Sequence, residues 1–137
     1  MTINIDFVDQ LDVRYLGSIA EAEYDLVVDP AAEGRQVEDA LATLDALQSM
    51  LRDLGMGYVA YSEVADTLRG LALTTNPTMY ASGFFTQAMK NYVEDSGDLP
   101  SDLPSYIVID WYATADGLRE GYSAVYLDGK EYLIRRS

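Results

Sequence analysis

Residues 122–135 read YSAVYLDGKEYLIR: two β-favouring runs, Tyr122 to Leu127 and Lys130 to Arg135, flank the dipeptide Asp128-Gly129. Asp-Gly tolerates the positive φ angles that a tight type I′ turn needs, so this spacing predicts a β-hairpin. Moving upstream, Asp110 is placed to cap a brief helix through about Leu118, with Asp116 inside it. Tyr106 to Ile109 reads as a short β-like run. Before it, Glu94 to Ser105 (EDSGDLPSDLPS) is a polar loop with two prolines.

Further toward the N-terminus, Asn76-Pro77 breaks the chain, and Thr78 to Val93 reads as a helix holding Phe84, Phe85, Met89 and Tyr92. Gly83 weakens that segment as a helix. Ser62 can cap another helix through about Leu73, with Val64, Leu68 and Leu71 inward. Gln36 to Leu54 is the clearest helix. Val37, Leu41, Leu44, Leu47, Leu51 and Leu54 recur at spacings of four and three, Gly55 follows as a C-cap, and Arg52 suits the end of the dipole.

Ile19 to Val28 alternates, with Ala20, Ala22, Tyr24 and Leu26 on one side and Glu21, Glu23 and Asp25 on the other, a period of two that predicts a strand. Asp29-Pro30 closes it. Asp9 and Asp12 flank a turn-like or short helical stretch ending near Gly17, and Thr2 to Val8 alternates as a first strand. The expected fold is α+β: a small antiparallel sheet carrying two or three helices on one side, with a C-terminal hairpin. One acidic domain spans 1–137, divisible into strands and helices over 1–93 and a strand-helix-hairpin segment over 106–137.

Charge bounds the function. The 137 residues carry 23 Asp and Glu against 9 Lys and Arg, a formal net charge of −14, with no His and no Cys. That surface repels nucleic acid and acidic membranes and attracts basic grooves. No imidazole base, thiolate or zinc site of the usual kind is available. Asp6, Asp9 and Asp12 match no calcium loop, so no metal and no cofactor is expected. No apolar run approaches a membrane span, and the N-terminus shows no secretion signal, so a soluble, cytoplasmic protein is expected. Asp outnumbers Glu 15 to 8 and Arg outnumbers Lys 7 to 2, a habit that a salt-loving or GC-rich source would also produce.

Three functional classes remain to be weighed. A carboxylate-only hydrolase would centre on Asp110 beside Trp111 and Tyr112, although Asp110 also reads as a helix cap. Nucleic-acid binding lacks a basic path, since Lys130 and Arg135-Arg136 are the only positive clusters. Imitation of DNA fits better. At one charge per ~1.7 Å of duplex, fourteen charges cover roughly seven base pairs, and a homodimer would double that. As a strand, Glu21, Glu23 and Asp25 would place carboxylates every ~7 Å. Glu38, Asp39, Asp45 and Asp53, with Glu94, Asp95, Asp98 and Asp102, could fill neighbouring rows. No positive residue lies between Asn91 and Leu118, so that stretch is expected to form a continuous acidic surface.

Asp102 to Arg136, DLPSYIVIDWYATADGLREGYSAVYLDGKEYLIRR, resembles the C-terminal segment of the ArdA-type antirestriction proteins. The matching positions are Tyr106, Ile109, Asp110, Trp111, Ala115, Leu118, Tyr122, Gly129, Tyr132 and Arg135. Tyr112 stands where the family has an acid, and Gly117 interrupts its Arg-Asp-Leu helix. The resemblance implies an acidic dimer shaped like bent DNA that occupies the DNA groove of restriction-modification enzymes. A CRISPR effector offers a similar basic channel. Trp111, Tyr122, Tyr126 and Tyr132 read as core or hairpin packing, with any exposed subset suited to a dimer contact, whereas Tyr58 and Tyr61 are expected to be exposed. The expectation is a non-catalytic anti-defence inhibitor that binds a host complex through Glu94, Asp95, Asp98 and Asp102, then Glu21, Glu23 and Asp25, with Glu38, Asp39 and Asp45. A non-catalytic interaction module that meets its partner through Tyr and Leu is the rival.

Overall fold

A computed structural model describes residues 9–74, 76–97, 99–100, 102–127 and 129–135. The C-terminal hairpin forms as its sequence requires. β3 (Tyr122–Leu127) pairs with β4 (Lys130–Arg135) from Leu127 opposite Lys130 to Tyr122 opposite Arg135, and Gly129 adopts φ +81° in the turn. β1 (Gln10–Asp12) and β2 (Thr78–Ala81) complete an antiparallel sheet of order β1-β2-β4-β3.

α1 (Val13–Val28), α2 (Gly34–Asp53) and α3 (Val64–Thr74) cover one face. There Met79, Tyr132, Ile134, Val125 and Leu127 from the strands meet Leu16, Leu44, Leu47, Leu51 and Leu68. α4 (Phe85–Ser96) and α5 (Trp111–Arg119) cover the other face, where Leu133 and Tyr80 meet Phe85, Met89 and Ala115. The fold is α+β, but its helices lie on both sides of the sheet, three against two, and not on one side. β4 shows why. Tyr132, Leu133 and Ile134 are consecutive and all buried, which alternation permits only where both faces of a strand are covered.

Several segments depart from their sequence reading. Ile19 to Val28 is the C-terminal part of α1 and not a strand. The helical spacing of Val13, Leu16, Ala20 and Glu23, all buried, begins upstream of Ile19 and runs through this segment. Asp12 starts that helix by accepting the Arg14 amide at 2.8 Å, so the chain runs helical straight through Gly17. A Cβ on Gly17 would sit 3.3 Å from the Arg69 side chain, so the glycine lets α1 and α3 approach closely. Thr78 to Val93 divides into β2, a 3-10 turn at Ser82–Phe84, and α4, because pairing with β4 and β1 overrides the helical pattern of its first four residues. Ser62 lies inside a 3-10 turn (Tyr61–Glu63) that leads into α3 and does not cap that helix.

Among the described residues Tyr106 to Ile109 joins no strand. β1 and β3 hold the sheet's two edges, and the segment instead leaves a turn closed by the Ile107 amide donating to the Pro104 carbonyl at 3.0 Å. Glu94 and Asp95 belong to α4 and not to the loop that follows. The strand expected over Thr2 to Val8 lies outside the described residues. α2 conforms closely: it ends at Gly55, whose φ of +82° suits a residue past the helix terminus. Its buried Gln48 donates to the Val59 carbonyl at 2.6 Å, tying the following loop to the core.

Candidate interaction surface

The two helical layers hold nearly all the excess charge. Residues 12–74, spanning α1 to α3, carry twelve acids against four arginines, and residues 85–120, spanning α4 and α5, carry seven against Lys90 and Arg119. The remaining residues of the sequence hold four acids (Asp6, Asp9, Asp128 and Glu131) and three bases (Lys130, Arg135 and Arg136), a balance close to neutral. Charge is therefore segregated onto the outer helices. The sheet between them contributes little.

On α1, Glu21, Glu23 and Asp25 do not form a row. A helix turns ~100° per residue, so Glu23 points inward and is 6% exposed, while Glu21 and Asp25 remain at the surface. The Glu21 carboxylate is bound by Arg69 of α3 at 2.6 Å, which neutralises it locally. On α2, Glu38, Asp39 and Asp45 are exposed, but Asp45 accepts the Tyr61 hydroxyl. That bond holds the Tyr61 phenol above its ordinary pKa and leaves Tyr61 only partly exposed, unlike Tyr58. Asp53 accepts the Tyr126 amide at 3.0 Å and so covers part of the β3 edge. Helical rise separates Glu38 from Asp45 by roughly 10 Å, sparser than the phosphates of one DNA strand.

The α4–α5 layer differs. Glu94 and Asp95 are exposed in the last turn of α4, and Asp102 is exposed in the connection that follows; Asp98 lies outside the described residues. Among the described residues none of these three meets a cation. Glu94 and Asp95 also sit at the negative end of the helix dipole, with no basic residue in that turn. Local stability does not explain acids in that position. Replacing both by amides, Glu94→Gln with Asp95→Asn, is expected to raise stability by about 0.5–1 kcal/mol in urea denaturation.

Apolar side chains in α4, in α5 and in the connection between them are exposed as well. Tyr106 is 83% exposed, Val108 88% and Tyr112 78%, with Tyr92, Leu103 and Ile107 also open to solvent. The β-like pattern of residues 106–109 points to a strand, and a strand would have covered these side chains. The prolines at 100 and 104 were the available warning, since they keep this segment out of a sheet interior. Of the aromatics assigned to packing, Tyr132 is fully buried and Tyr126 is 52% exposed, its hydroxyl donating to Glu131 at 2.9 Å.

Asp110 caps α5, accepting the Ala113 amide at 3.1 Å. Asp110→Ala is expected to cost about 1 kcal/mol of stability, measured by urea denaturation. Among the described residues no group of three or more carboxylates could hold a metal ion, and no helix is long and apolar enough to cross a membrane. No family model, no curated protein and no solved structure matches the chain.

Proposed function

We propose that the protein is a non-catalytic acidic inhibitor that occupies the basic nucleic-acid groove of a host defence complex, of the restriction-modification or CRISPR effector kind. The observation that carries this reading is the α4–α5 face: Glu94, Asp95 and Asp102 are exposed within a stretch free of Lys and Arg, two of them placed against the helix dipole. The likeness of residues 102–136 to ArdA-type proteins supports the same target class. The carboxylates act through their summed field, because helix-borne acids are too sparse to copy phosphates atom for atom. A two-fold dimer would double the charged footprint.

The exposure of Tyr106, Val108 and Tyr112 favours a second reading, an interaction module that meets its partner through apolar contacts. Salt separates the two. Purified restriction and CRISPR effector complexes are titrated with the protein in the presence of labelled DNA. Displacement of DNA that weakens steeply with added salt supports the inhibitor. If no complex loses DNA, and a captured partner holds through high salt, the interaction module replaces it.

A further inference from the structure

We propose that the cleft between α4, α5 and the open end of the β3–β4 hairpin seats one aromatic side chain of a protein partner, presented by a segment whose neighbouring residues are Lys and Arg. The cleft has a volume of about 260 Å³, below the ~300–1,000 Å³ of sites that enclose a drug-sized ligand. It suits a single ring. Met89 and Tyr92 of α4 line it with Leu118 of α5 and Tyr122 of β3. A thioether and two phenol rings favour an aromatic occupant over an aliphatic one. The Tyr122 ring is itself held edge-on by Phe85 at 5.0 Å and by Tyr80 at 6.5 Å, so this wall is set before a partner arrives. Arg135 also lines the cleft and is engaged within the protein, so recognition is assigned to the residues around it.

Two glycines complete the lining. Gly117 lies inside α5, where glycine weakens a helix, yet among the described residues a Cβ there would meet nothing within 4 Å. Gly121 would meet only the Leu118 carbonyl, at 3.6 Å, and neither residue has a positive φ. Backbone geometry and packing therefore require glycine at neither position, and a side chain at either would narrow the cleft.

Charge around the cleft selects the neighbours of that ring. Residues three apart on a helix share a face. Asp95 therefore stands beside Tyr92 on α4, and Glu120 beside Gly117 at the end of α5; both acids are exposed. Residues 91–118 hold no Lys or Arg, and the chain's net charge of −14 attracts cations from a distance. A ring set among basic side chains would meet acids on both sides of the cleft. Proteins stack the bases of single-stranded nucleic acid with that same arrangement, an aromatic residue within a positively charged groove. The occupant is thus a base-stacking aromatic in the groove of the target. Seating it rests on the same α4–α5 face as the inhibitor reading, which by itself requires only charge.

The test is a titration of the ¹⁵N-labelled full-length chain with the peptide acetyl-Lys-Lys-Phe-Lys-Lys-amide at low salt, followed by two-dimensional NMR. Two control peptides change one property each: Ala in place of Phe keeps the charge, and Ser in place of every Lys keeps the ring. The expected result is saturable shifts at the Tyr92, Gly117, Leu118 and Gly121 amides with a Kd of ~1 mM. Each control binds at least about tenfold more weakly, because it lacks either the anchor or its charged neighbours. Gly117→Leu, which fills the cleft from an open position, abolishes the preference for Phe over Ala and leaves the rest of the spectrum folded. Absence of saturable shifts at these amides, equal binding of either control, or an undiminished Phe preference in Gly117→Leu would each overturn the proposal. So would shifts of the same amides on concentrating the protein alone, which would put a second copy in the cleft. Binding of the Lys peptides without regard to Phe removes the anchor and leaves the inhibitor reading standing, whose own failure shows in the DNA displacement titration.

Discussion

Tyr132→Ala removes a large part of the margin by which this protein stays folded. Tyr132 is fully buried in the strand that the whole sheet depends on, since β4 pairs with β2 on one side and β3 on the other. Its register partners Ala81 and Val125 are themselves buried, so the lost ring leaves a cavity in the three-helix side of the core. Deleting a buried aromatic side chain typically costs about 3–5 kcal/mol, against a total stability of about 5–15 kcal/mol for a domain. A fall of that size in urea denaturation, or failure to fold at 37 °C, is the expected outcome. A loss under about 1 kcal/mol would show that β4 is not the central strand.

The same residue gives a pH signature. Burial raises the Tyr132 phenol above its ordinary value near 10, and burial likewise raises Tyr122. A folded pKa above the unfolded one means that the folded state binds more protons once the pH exceeds about 10. Stability from these two groups is therefore complete below that pH and is lost as the pH rises through their folded values. Tyr132→Phe keeps the ring and removes the ionisation. Its stability is expected to decline less than that of the wild type between neutral and strongly alkaline pH, read as the urea midpoint at each pH.

Local signals carried the sequence reading furthest. Asp128-Gly129 specified the hairpin, the leucine spacing of Gln36 to Leu54 specified α2, and Asp110 marked the start of α5, because each of these depends on a few adjacent residues. What failed was whatever depended on a distant partner. Thr78 to Ala81 is a strand because β4 and β1 lie beside it, and nothing within those four residues says so. Tyr106 to Ile109 has the composition of a strand and, among the described residues, has no strand beside it. At the candidate surface, the sequence correctly picked out Glu94, Asp95 and Asp102 as exposed. Glu21 and Glu23 were misplaced by the wrong period in α1: one is bound to Arg69 and the other is buried. The acids were legible as a total. Their distribution over two opposed layers required the tertiary fold.

That distribution allows a decisive experiment on function. The triple variant Glu94→Lys, Asp95→Lys, Asp102→Lys changes six charges and leaves a net charge of −8 in place of −14. A matched triple on the opposite layer, Asp25→Lys, Glu38→Lys, Asp39→Lys, reaches the same total without touching Asp45, Asp53 or Glu21, which hold structural contacts. If the protein works by filling a basic groove with its α4–α5 face, the first triple slows association by roughly one to two orders of magnitude at low salt and flattens the salt dependence. The matched triple keeps most of the inhibition, because exposed charges on the far side of a domain are largely screened beyond about 10 Å. Equal losses in both would mean that net charge alone drives binding and that no particular face is used. Full inhibition by both would end the groove-filling reading and leave the exposed apolar side chains of Tyr106, Val108 and Tyr112 as the contact, since these are unchanged in either variant. Because Glu94 and Asp95 oppose the α4 dipole, removing their charge should stabilise the protein even where, on the proposed inhibitor reading, it weakens binding. Opposite signs for stability and binding at the same two residues would indicate that these acids are kept for a partner, since the fold alone would be better without them.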